Sequence, residues 1–171
     1  MKKILAFAGS NSSNSINKQL VDYAATLIEG VDVIDLRDYD APIYGSDLEQ
    51  SSGLPESIQK LYNLIQGYES IIMASPEHNG FPPAFLKNIL DWLSRAEGEK
   101  FLKDKKVALL STSPGGYGGK NNLNNMKNVM PYWGANIVGT YSLSSFYDNM
   151  ENGSIKSDEE IAALKAVLDL L

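Results

Sequence analysis

The sequence predicts a three-layer α/β fold, with a five-stranded parallel sheet in the order 2-1-3-4-5 and helices on both faces. Short apolar runs alternate with amphipathic segments along the chain, and this alternation is typical of strand–helix–strand crossovers in a parallel sheet. The chain has 171 residues, of which 43% are apolar and 21% charged, as expected for one domain with a buried core. We therefore expect residues 1–171 to form a single domain.

The first half of the chain predicts three strands and two helices. The apolar run within 3–8 is typical of a buried strand, and VDVIDL (31–36) alternates as a second strand does. A loop rich in turn residues covers 37–55, and its last residue, Pro55, suits the first turn of a helix. SIIMAS (70–75) is the third predicted strand. The two helices are indicated by helical spacing of Ile16, Leu20, Ala24 and Leu27, and of Ile58, Leu61, Tyr62 and Ile65.

The second half continues the alternation and ends in a helix. Ser157 followed by Glu160 is a capping box, which predicts the start of the C-terminal helix. Before it, the pattern predicts a helix over 83–95, a strand over 106–113, a helix ending near Trp133 and a strand over 135–143.

Charge and composition exclude several kinds of partner and site. The 21 acidic and 15 basic residues give a net charge of −6, which repels nucleic-acid phosphates and anionic membranes, so we expect neither as a partner. With no cysteine and one histidine, the chain has no thiolate chemistry, and we expect no metal site. No apolar run reaches membrane length and the N-terminal one is too short for a signal peptide, so we expect a cytoplasmic protein.

Three polar loops follow strands one, three and four. In the order 2-1-3-4-5 these strands are neighbours, so the loops that leave their carboxyl ends converge. Ligands of doubly wound sheets bind at that edge. We therefore expect one binding site built from the segments 8–20, 76–83 and 112–119.

The first segment, AGSNSSNSINKQL (8–20), joins a strand to a helix and has no basic residue before Lys18. A helix N-terminus offers unpaired amides and a partial positive charge, which suits one phosphate group. The segment lacks the second glycine and the lysine of a triphosphate loop, and no GxGxxG motif follows Gly9. An ordinary turn with a serine cap is the alternative. The candidate side-chain donors are Ser10, Asn11, Ser12, Ser13, Ser15 and Asn17.

The second segment, PEHNGFPP (76–83), combines an Asn79–Gly80 turn with two prolines. Prolines stiffen a loop, so its exposed backbone amides can lie along the edge of a flat ring. Glu77 and His78 can add side-chain contacts, and an ordinary polar loop position is the alternative for His78. The single histidine and the missing GxSxG motif argue against a hydrolase triad.

The third segment, TSPGGYGG (112–119), contains four glycines, which permit close approach of the backbone to a ligand. Tyr117 can cover an aromatic ring, and a plain flexible connection is the alternative. A phosphate at the first segment and a planar ring between the other two describe flavin mononucleotide (FMN), which is the ligand we expect.

Four pieces of the sequence resemble the NADPH-dependent FMN reductase family, whose fold is flavodoxin-like: GSNSSNSIN, DLRDYDAPIYGSDLE, SPEHNGFPPAFLKNILDWLSR and SPGGYGG. They extend the resemblance over nearly the whole chain, and the P-E-x-N and L-K-N-x-x-D-W parts are the most specific. The chain departs from many members at Ser12, where they have a basic residue, and at His78, where tyrosine is frequent.

The resemblance implies three groups of FMN-binding residues. The phosphate is expected at Ser10, Ser15 and Asn17, with Gly9, Ser12 and Ile16 in the same loop; the ring and ribityl chain at Pro76, Glu77, His78, Asn79 and Gly80; and the far side at Ser113, Gly115 and Gly116.

The same resemblance implies an oxidoreductase that passes hydride from NADPH or NADH through FMN to a small electrophile by a ping-pong mechanism. The acceptor is expected to be a free flavin, a quinone, an azo compound or a metal oxyanion. No catalytic side chain is expected, because the cofactor carries the chemistry. One alternative is a flavodoxin-like electron carrier, which holds FMN without reacting directly with the nicotinamide. Another is a binding module without flavin.

The helix over 83–95 carries apolar residues on more than one face, including Trp92. A helix that covers one side of a sheet needs one apolar stripe, so we expect the surplus to contact a second subunit. Tyr132 and Trp133 are expected on the same surface. The resemblance also implies a homodimer or homotetramer, and packing of Trp92 beneath the segment 76–83 of its own chain is the alternative.

Overall fold

A computed structural model describes residues 3–98 and 100–171. Its five parallel strands form one sheet in the order β2-β1-β3-β4-β5, which confirms the predicted fold class and strand order. The register pairs Ile4 with Ser70 and Ser70 with Lys106, so the carboxyl ends of three neighbouring strands lie side by side. The strands are β1 (Ile4–Ala8), β2 (Val31–Val33), β3 (Ser70–Ala74), β4 (Lys106–Thr112) and β5 (Asn136–Leu143).

Helices cover both faces of this sheet because its central strands are buried on both sides. They are α1 (Ile16–Thr26), α2 (Ser46–Ser52), α3 (Glu56–Gln66), α4 (Ala84–Leu93), α5 (Lys120–Val129), α6 (Phe146–Asn149) and α7 (Asp158–Leu168). Leu5 and Phe7 of β1 face a core shared with α3, α4 and α5. Ile4 and Ala6, which point the other way, face a core shared with α1 and α7. None of the helices in the described ranges has the length and apolar character needed to cross a membrane.

The segment after β2 differs from the prediction. The strand ends at Val33 rather than at residue 36, and a 3-10 helix follows over Leu36–Tyr39, where the Asp35 carboxylate accepts the Arg37 amide. The predicted loop also contains α2. None of the residues of this short helix is buried, so it has no apolar periodicity from which it could have been predicted.

The segment after β5 also holds structure that the periodicity did not predict. Helix α6 is followed by an antiparallel ribbon of β6 (Met150–Glu151) and β7 (Ser154–Ile155). The ribbon turns at Asn152 and Gly153, both with positive φ (49° and 79°), which is the geometry of a type I′ hairpin turn. Strands of two residues are too short to show alternation, and the Asn-Gly pair was the available signal.

The C-terminal helix begins at the predicted position with half of a capping box. Ser157 Oγ accepts the Glu160 amide at 3.4 Å, whereas the Glu160 carboxylate accepts the hydroxyl of Tyr141 on β5 at 2.8 Å. Burial and this carboxylate raise the pKa of Tyr141, so its hydroxyl stays protonated and donates. Glu160 therefore fastens α7 to the edge strand of the sheet.

Trp92 is fully buried within its own chain. Its indole nitrogen donates to the Pro42 carbonyl at 2.7 Å. One turn earlier, Asn88 donates to the Ala41 and Pro42 carbonyls at 3.0 and 3.1 Å and accepts the Tyr44 amide at 2.8 Å. The L-K-N-x-x-D-W motif thus holds the loop after β2 against α4. Because Trp92 is not available to a neighbouring subunit, the expectation that it belongs to an interface is wrong. The alternative of packing within the chain is correct, although the hydrogen bond and the ring contact of Trp92 are with Pro42 and Tyr44 after β2 rather than with the segment 76–83.

Candidate active site

The carboxyl ends of β1, β3 and β4 open into a pocket of about 270 Å³. Three loops converge on it, as the strand order predicts: loop one (9–15), loop two (75–83) and loop three (113–119). Its wall consists of Ser10, Ser12, Asn14, Ser15, Ile16, Asn17, Pro76, Glu77, His78, Thr112, Ser113, Pro114 and Tyr147.

Five residues that the resemblance assigns to FMN do not line this wall, and neither do the candidate donors Asn11 and Ser13; the five are Gly9, Asn79, Gly80, Gly115 and Gly116. They lie in the same three loops, and their contact with FMN stays a prediction. Gly9 has a packing role of its own, since a Cβ there would collide with the Leu86 side chain of α4. Its amide donates to the Ala74 carbonyl at 2.8 Å and so fixes the exit of the chain from β1.

Loop one is shaped by its own serines. Ser10 Oγ accepts the Ser12 amide at 3.2 Å, and Ser12 Oγ accepts the Asn14 amide at 3.3 Å. Ser15 is the N-cap of α1, where its Oγ accepts the Lys18 amide at 3.2 Å. These turns leave the hydroxyls and the first turn of α1 at the pocket wall, as a phosphate site requires.

Asn17 ties the start of α1 to the end of β4. Its Nδ2 donates to the Thr112 carbonyl at 3.0 Å and its Oδ1 accepts the Thr112 amide at 3.1 Å. The residue is 2% exposed, so both bonds are sheltered from water. Asn17 therefore fixes loop one against loop three, and one Nδ2 hydrogen remains for a ligand.

Loop two contains the tight turn expected from its sequence. Asn79 and Gly80 have positive φ (54° and 86°), and His78 and Phe81 exchange backbone hydrogen bonds of 2.9 and 3.1 Å. This is a two-residue type I′ turn, for which Asn-Gly is the favoured sequence. The His78 side chain is exposed beside the pocket.

The Glu77 side chain points to a helix. Its Oε2 accepts the Asn122 amide in the first turn of α5 at 3.0 Å. The N-cap position of α5 is Gly119, which has no side chain to satisfy these amides, so the carboxylate takes that role. Sequence reasoning missed this contact, because the two residues are 45 positions apart.

Loop three needs glycine at its second pair. Gly118 and Gly119 have positive φ (64° and 75°), and a Cβ at either position would collide with serine hydroxyls of β4 and β5. A Cβ on Gly115 or Gly116 would meet nothing within 4 Å. Ser113 closes the loop, since its Oγ accepts the Gly118 amide at 2.9 Å and donates to the Gly115 carbonyl at 3.0 Å.

The aromatic residue at the pocket wall is Tyr147, which the sequence did not predict. It lies on α6 and packs edge-to-face on Phe146, with ring centroids 5.4 Å apart. Tyr117, the predicted aromatic cover, is exposed but does not line the pocket. The aromatic pair after strand five was the one local signal for Tyr147.

The charges at the pocket fit a ligand held mainly by neutral donors. The described wall includes one carboxylate side chain, Glu77, and one imidazole, His78, and no lysine or arginine lines it. Lys18, on α1, forms an ion pair with Asp22. Hydroxyls and helix amides suit a phosphate monoester, so the residues present fit the phosphate of FMN. Within residues 3–98 and 100–171, no group of three acidic or histidine side chains is placed to hold a metal ion.

Two curated proteins are similar to this chain in sequence, and one solved structure is similar to it in both sequence and architecture. It is 28% identical over 171 residues to a 2-hydroxy-1,4-benzoquinone reductase from a Burkholderia species, covering 98% of this chain and 92% of that protein. It is 31% identical over 140 residues to an NADPH azoreductase from Bacillus sp. strain OY1-2, covering 82% and 71%. The solved structure of FerB, a flavoenzyme NAD(P)H:(acceptor) oxidoreductase from Paracoccus denitrificans, superimposes with a TM-score of 0.80 at 26% identity, over 99% of this chain and 94% of that one.

A family model extends the similarity to the loops of the site. The model of the NADPH-dependent FMN reductases matches residues 2–148, which include loops one, two and three and the tyrosine on α6. This similarity and the hydroxyl-lined N-terminus of α1 both indicate FMN as the ligand. The chain belongs to the NADPH-dependent FMN reductase family.

Proposed function

We propose that this chain is an FMN-dependent NAD(P)H oxidoreductase that reduces a small electrophile by a ping-pong mechanism. The observation that carries the proposal is the meeting, in one open pocket, of a hydroxyl-lined helix N-terminus with a rigid type I′ loop. The family membership and the quinone and azo reductase relatives support it. We also propose a cytoplasmic location, where reduced nicotinamides are supplied.

The residues of the chain would bind and orient the cofactor. Ser10, Ser15 and the amides of α1 would hold the phosphate, and the backbone of loop two would lie along the ring edge. Bound FMN would supply the hydride-accepting ring, so the chain needs no acid or base of its own. Backbone amides at the ring edge would stabilise negative charge that develops there on reduction.

The openness of the pocket supports a broad acceptor range. A nicotinamide and then an electrophile could occupy the same exposed ring face in turn, because each needs only to stack there. We propose quinones, azo compounds, free flavins and metal oxyanions as candidate acceptors.

The test separates a reductase from an electron carrier. Purified protein is loaded with FMN and mixed with NADPH or NADH in the absence of oxygen, and the nicotinamide absorbance is followed. Direct oxidation, with turnover once benzoquinone is added, is expected of the reductase. A protein that binds FMN but leaves the nicotinamide unoxidised would be the flavodoxin-like carrier. A protein that does not become yellow by binding FMN would be neither a reductase of this type nor an FMN electron carrier.

We further propose that the chain assembles as a homodimer or a homotetramer through an apolar groove beside loop two. The groove, of about 270 Å³, lies between α4 and α5, and Phe81 is part of its lining. Phe81 and Val129 are 65% and 42% exposed, an unusual exposure for apolar side chains that adjoin each other. The other groove residues are Pro82, Lys87, Leu90, Asn125, Met126 and Trp133.

Light scattering tests this assembly at micromolar concentration. Val129→Asp should produce a monomer, because it places a charge in the groove. Ile43→Asp is the matched control, since Ile43 is 86% exposed and lies outside the groove. A wild-type monomer that binds FMN and turns over would contradict the proposal.

A further inference from the structure

Helix α5 is built from residues that disfavour helices. Five of its ten residues, in the sequence KNNLNNMKNV, are asparagine. Asparagine is less favourable than alanine in a helix interior by up to about 0.7 kcal/mol per residue. The helix is nevertheless held to the sheet by Leu123 and Met126, which belong to the core. Its asparagines therefore call for an explanation other than helix stability.

Asn122 reaches the start of loop two. Its Nδ2 donates to Ser75 Oγ at 2.7 Å and to the Pro76 carbonyl at 2.8 Å, while its backbone amide binds Glu77. The residue is fully buried, and its Oδ1 has no partner among the described residues. An unpaired buried acceptor costs about 1–3 kcal/mol, so Asn122 is a poor choice for stability alone.

Asn125, one turn later on the same face of α5, reaches the other end of the loop. Its Nδ2 donates to the Gly80 carbonyl at 2.8 Å. Gly80 is the second residue of the type I′ turn, so this bond fixes the tip of loop two. Two asparagines at spacing i, i+3 thus donate hydrogen bonds to the backbone of loop two, at the carbonyls of Pro76 and Gly80.

We propose that Asn122 and Asn125 are positioning residues of the flavin site, which set FMN affinity and flavin redox potential through loop two. The inference rests on the proposed function. Amides that contact a ring edge act only when held within about 0.5 Å of the right place, and residues 77–81 of loop two contain no buried side chain to hold them. The two asparagines, which we call the clamp, supply that support from α5, a helix packed against the sheet.

Asn125→Asp is the sharpest test. It is nearly isosteric, but it replaces the donor to the Gly80 carbonyl by a carboxylate. Asn124→Asp is the matched control, because it adds the same charge at the neighbouring, exposed position. Asn125→Ala removes the donor without adding charge, and serves if the aspartate variant does not fold.

Three measurements are made on each variant: FMN affinity by fluorescence quenching, the flavin midpoint potential, and amide hydrogen exchange over 76–81 without FMN. We expect at least about tenfold weaker FMN binding, a more negative potential and faster exchange in both Asn125 variants, and wild-type values in Asn124→Asp. Wild-type affinity, potential and exchange in the Asn125 variants would overturn the proposal.

Two controls keep this result separate from other failures. Asn125 also borders the apolar groove, so the Val129→Asp variant is measured in parallel. If that variant reproduces both the weaker FMN binding and the faster amide exchange, the effects of the Asn125 variants arise from loss of assembly, and the proposal for Asn122 and Asn125 is overturned. If the wild-type protein does not bind FMN, the proposed function fails, while exchange in the apo protein still decides whether Asn125 holds loop two.

Discussion

Loop one and loop two serve, in our proposal, the two ends of one cofactor, and they are constructed in opposite ways. The hydroxyls of loop one accept backbone amides two or three residues away. The side chains that hold loop two come from β4 and α5. Ser111 of β4 donates to the Ser75 carbonyl, 36 positions away, and Asn122 and Asn125 of α5 donate to the loop from 45 to 47 positions away. Loop one is shaped by its own serines, whereas the local Asn79–Gly80 turn of loop two is also held by side chains from neighbouring elements.

This difference has consequences for how each loop responds to substitution. A change at a serine of loop one should act on the ligand directly and leave the fold nearly intact, because the hydrogen bonds of these serines are local. The geometry of loop two can be altered from α5 without touching the loop itself. We therefore expect substitutions that affect the two loops to differ in how a change in protein stability relates to a change in FMN affinity.

The largest expected effect is on FMN affinity in Ser15→Asp. Aspartate is as good an N-cap as serine, so α1 should keep its start and the melting temperature should change little. The new carboxylate would face the phosphate dianion at short range, and we expect FMN to bind about a hundredfold more weakly, or about 2.7 kcal/mol. Fluorescence quenching measures the affinity. Ser13→Asp, in the same loop but outside the pocket wall, should lose much less. Equal affinities for Ser15→Asp and wild type would refute the phosphate assignment.

The same contrast explains what the sequence could reveal. The serine cap at Ser15 and the Asn79–Gly80 turn were predictable, because their signals lie within a few residues of the structure they form. The parallel sheet followed from periodicity and crossover rules, and the strand order followed from the flavodoxin-like arrangement. The contacts of Asn122 and Trp92 were not predictable, since they join segments that only the folded sheet brings together. Tyr147 was missed for a different reason, because α6, with four residues, is too short to show periodicity.

Asn17→Ala sharpens the comparison, because Asn17 is the long-range attachment of loop one. The substitution leaves the Thr112 amide and carbonyl unpaired in a buried place, and we expect the free energy of unfolding to fall by about 2 kcal/mol. Urea denaturation measures it. Asn14→Ala is the control, because Asn14 is exposed and contributes its backbone amide to the loop. If both variants are as stable as the wild type, loop one is held locally throughout.

A smaller gain is expected from Ser12→Arg. The variant supplies the cation that the sequence resemblance implies at this position, and a charge-assisted hydrogen bond to the phosphate contributes about 1–3 kcal/mol. We expect FMN to bind about tenfold more tightly at low salt, with the gain shrinking as ionic strength rises. Ser12→Gln gives a long neutral side chain as control. A gain of the same size in both variants, or one insensitive to salt, would show that charge is not its cause.

The smallest effect is expected from His78→Asn, which tests loop two from within. The turn is held by the backbone of His78, which exchanges hydrogen bonds with Phe81, and by Asn125 at Gly80, so the exposed imidazole contributes nothing to its shape. Asparagine is tolerated in turns, and hydride transfer to the ring needs no proton from this side chain. FMN affinity and the rate of flavin reduction by nicotinamide, measured by stopped-flow absorbance, should both stay within about twofold of the wild type. Loop two would then be indifferent to its own exposed side chain and sensitive to an amide 45 positions away. A fall of several orders of magnitude in the reduction rate, with FMN still bound, would contradict this prediction. It would indicate that the His78 side chain donates a proton during flavin reduction.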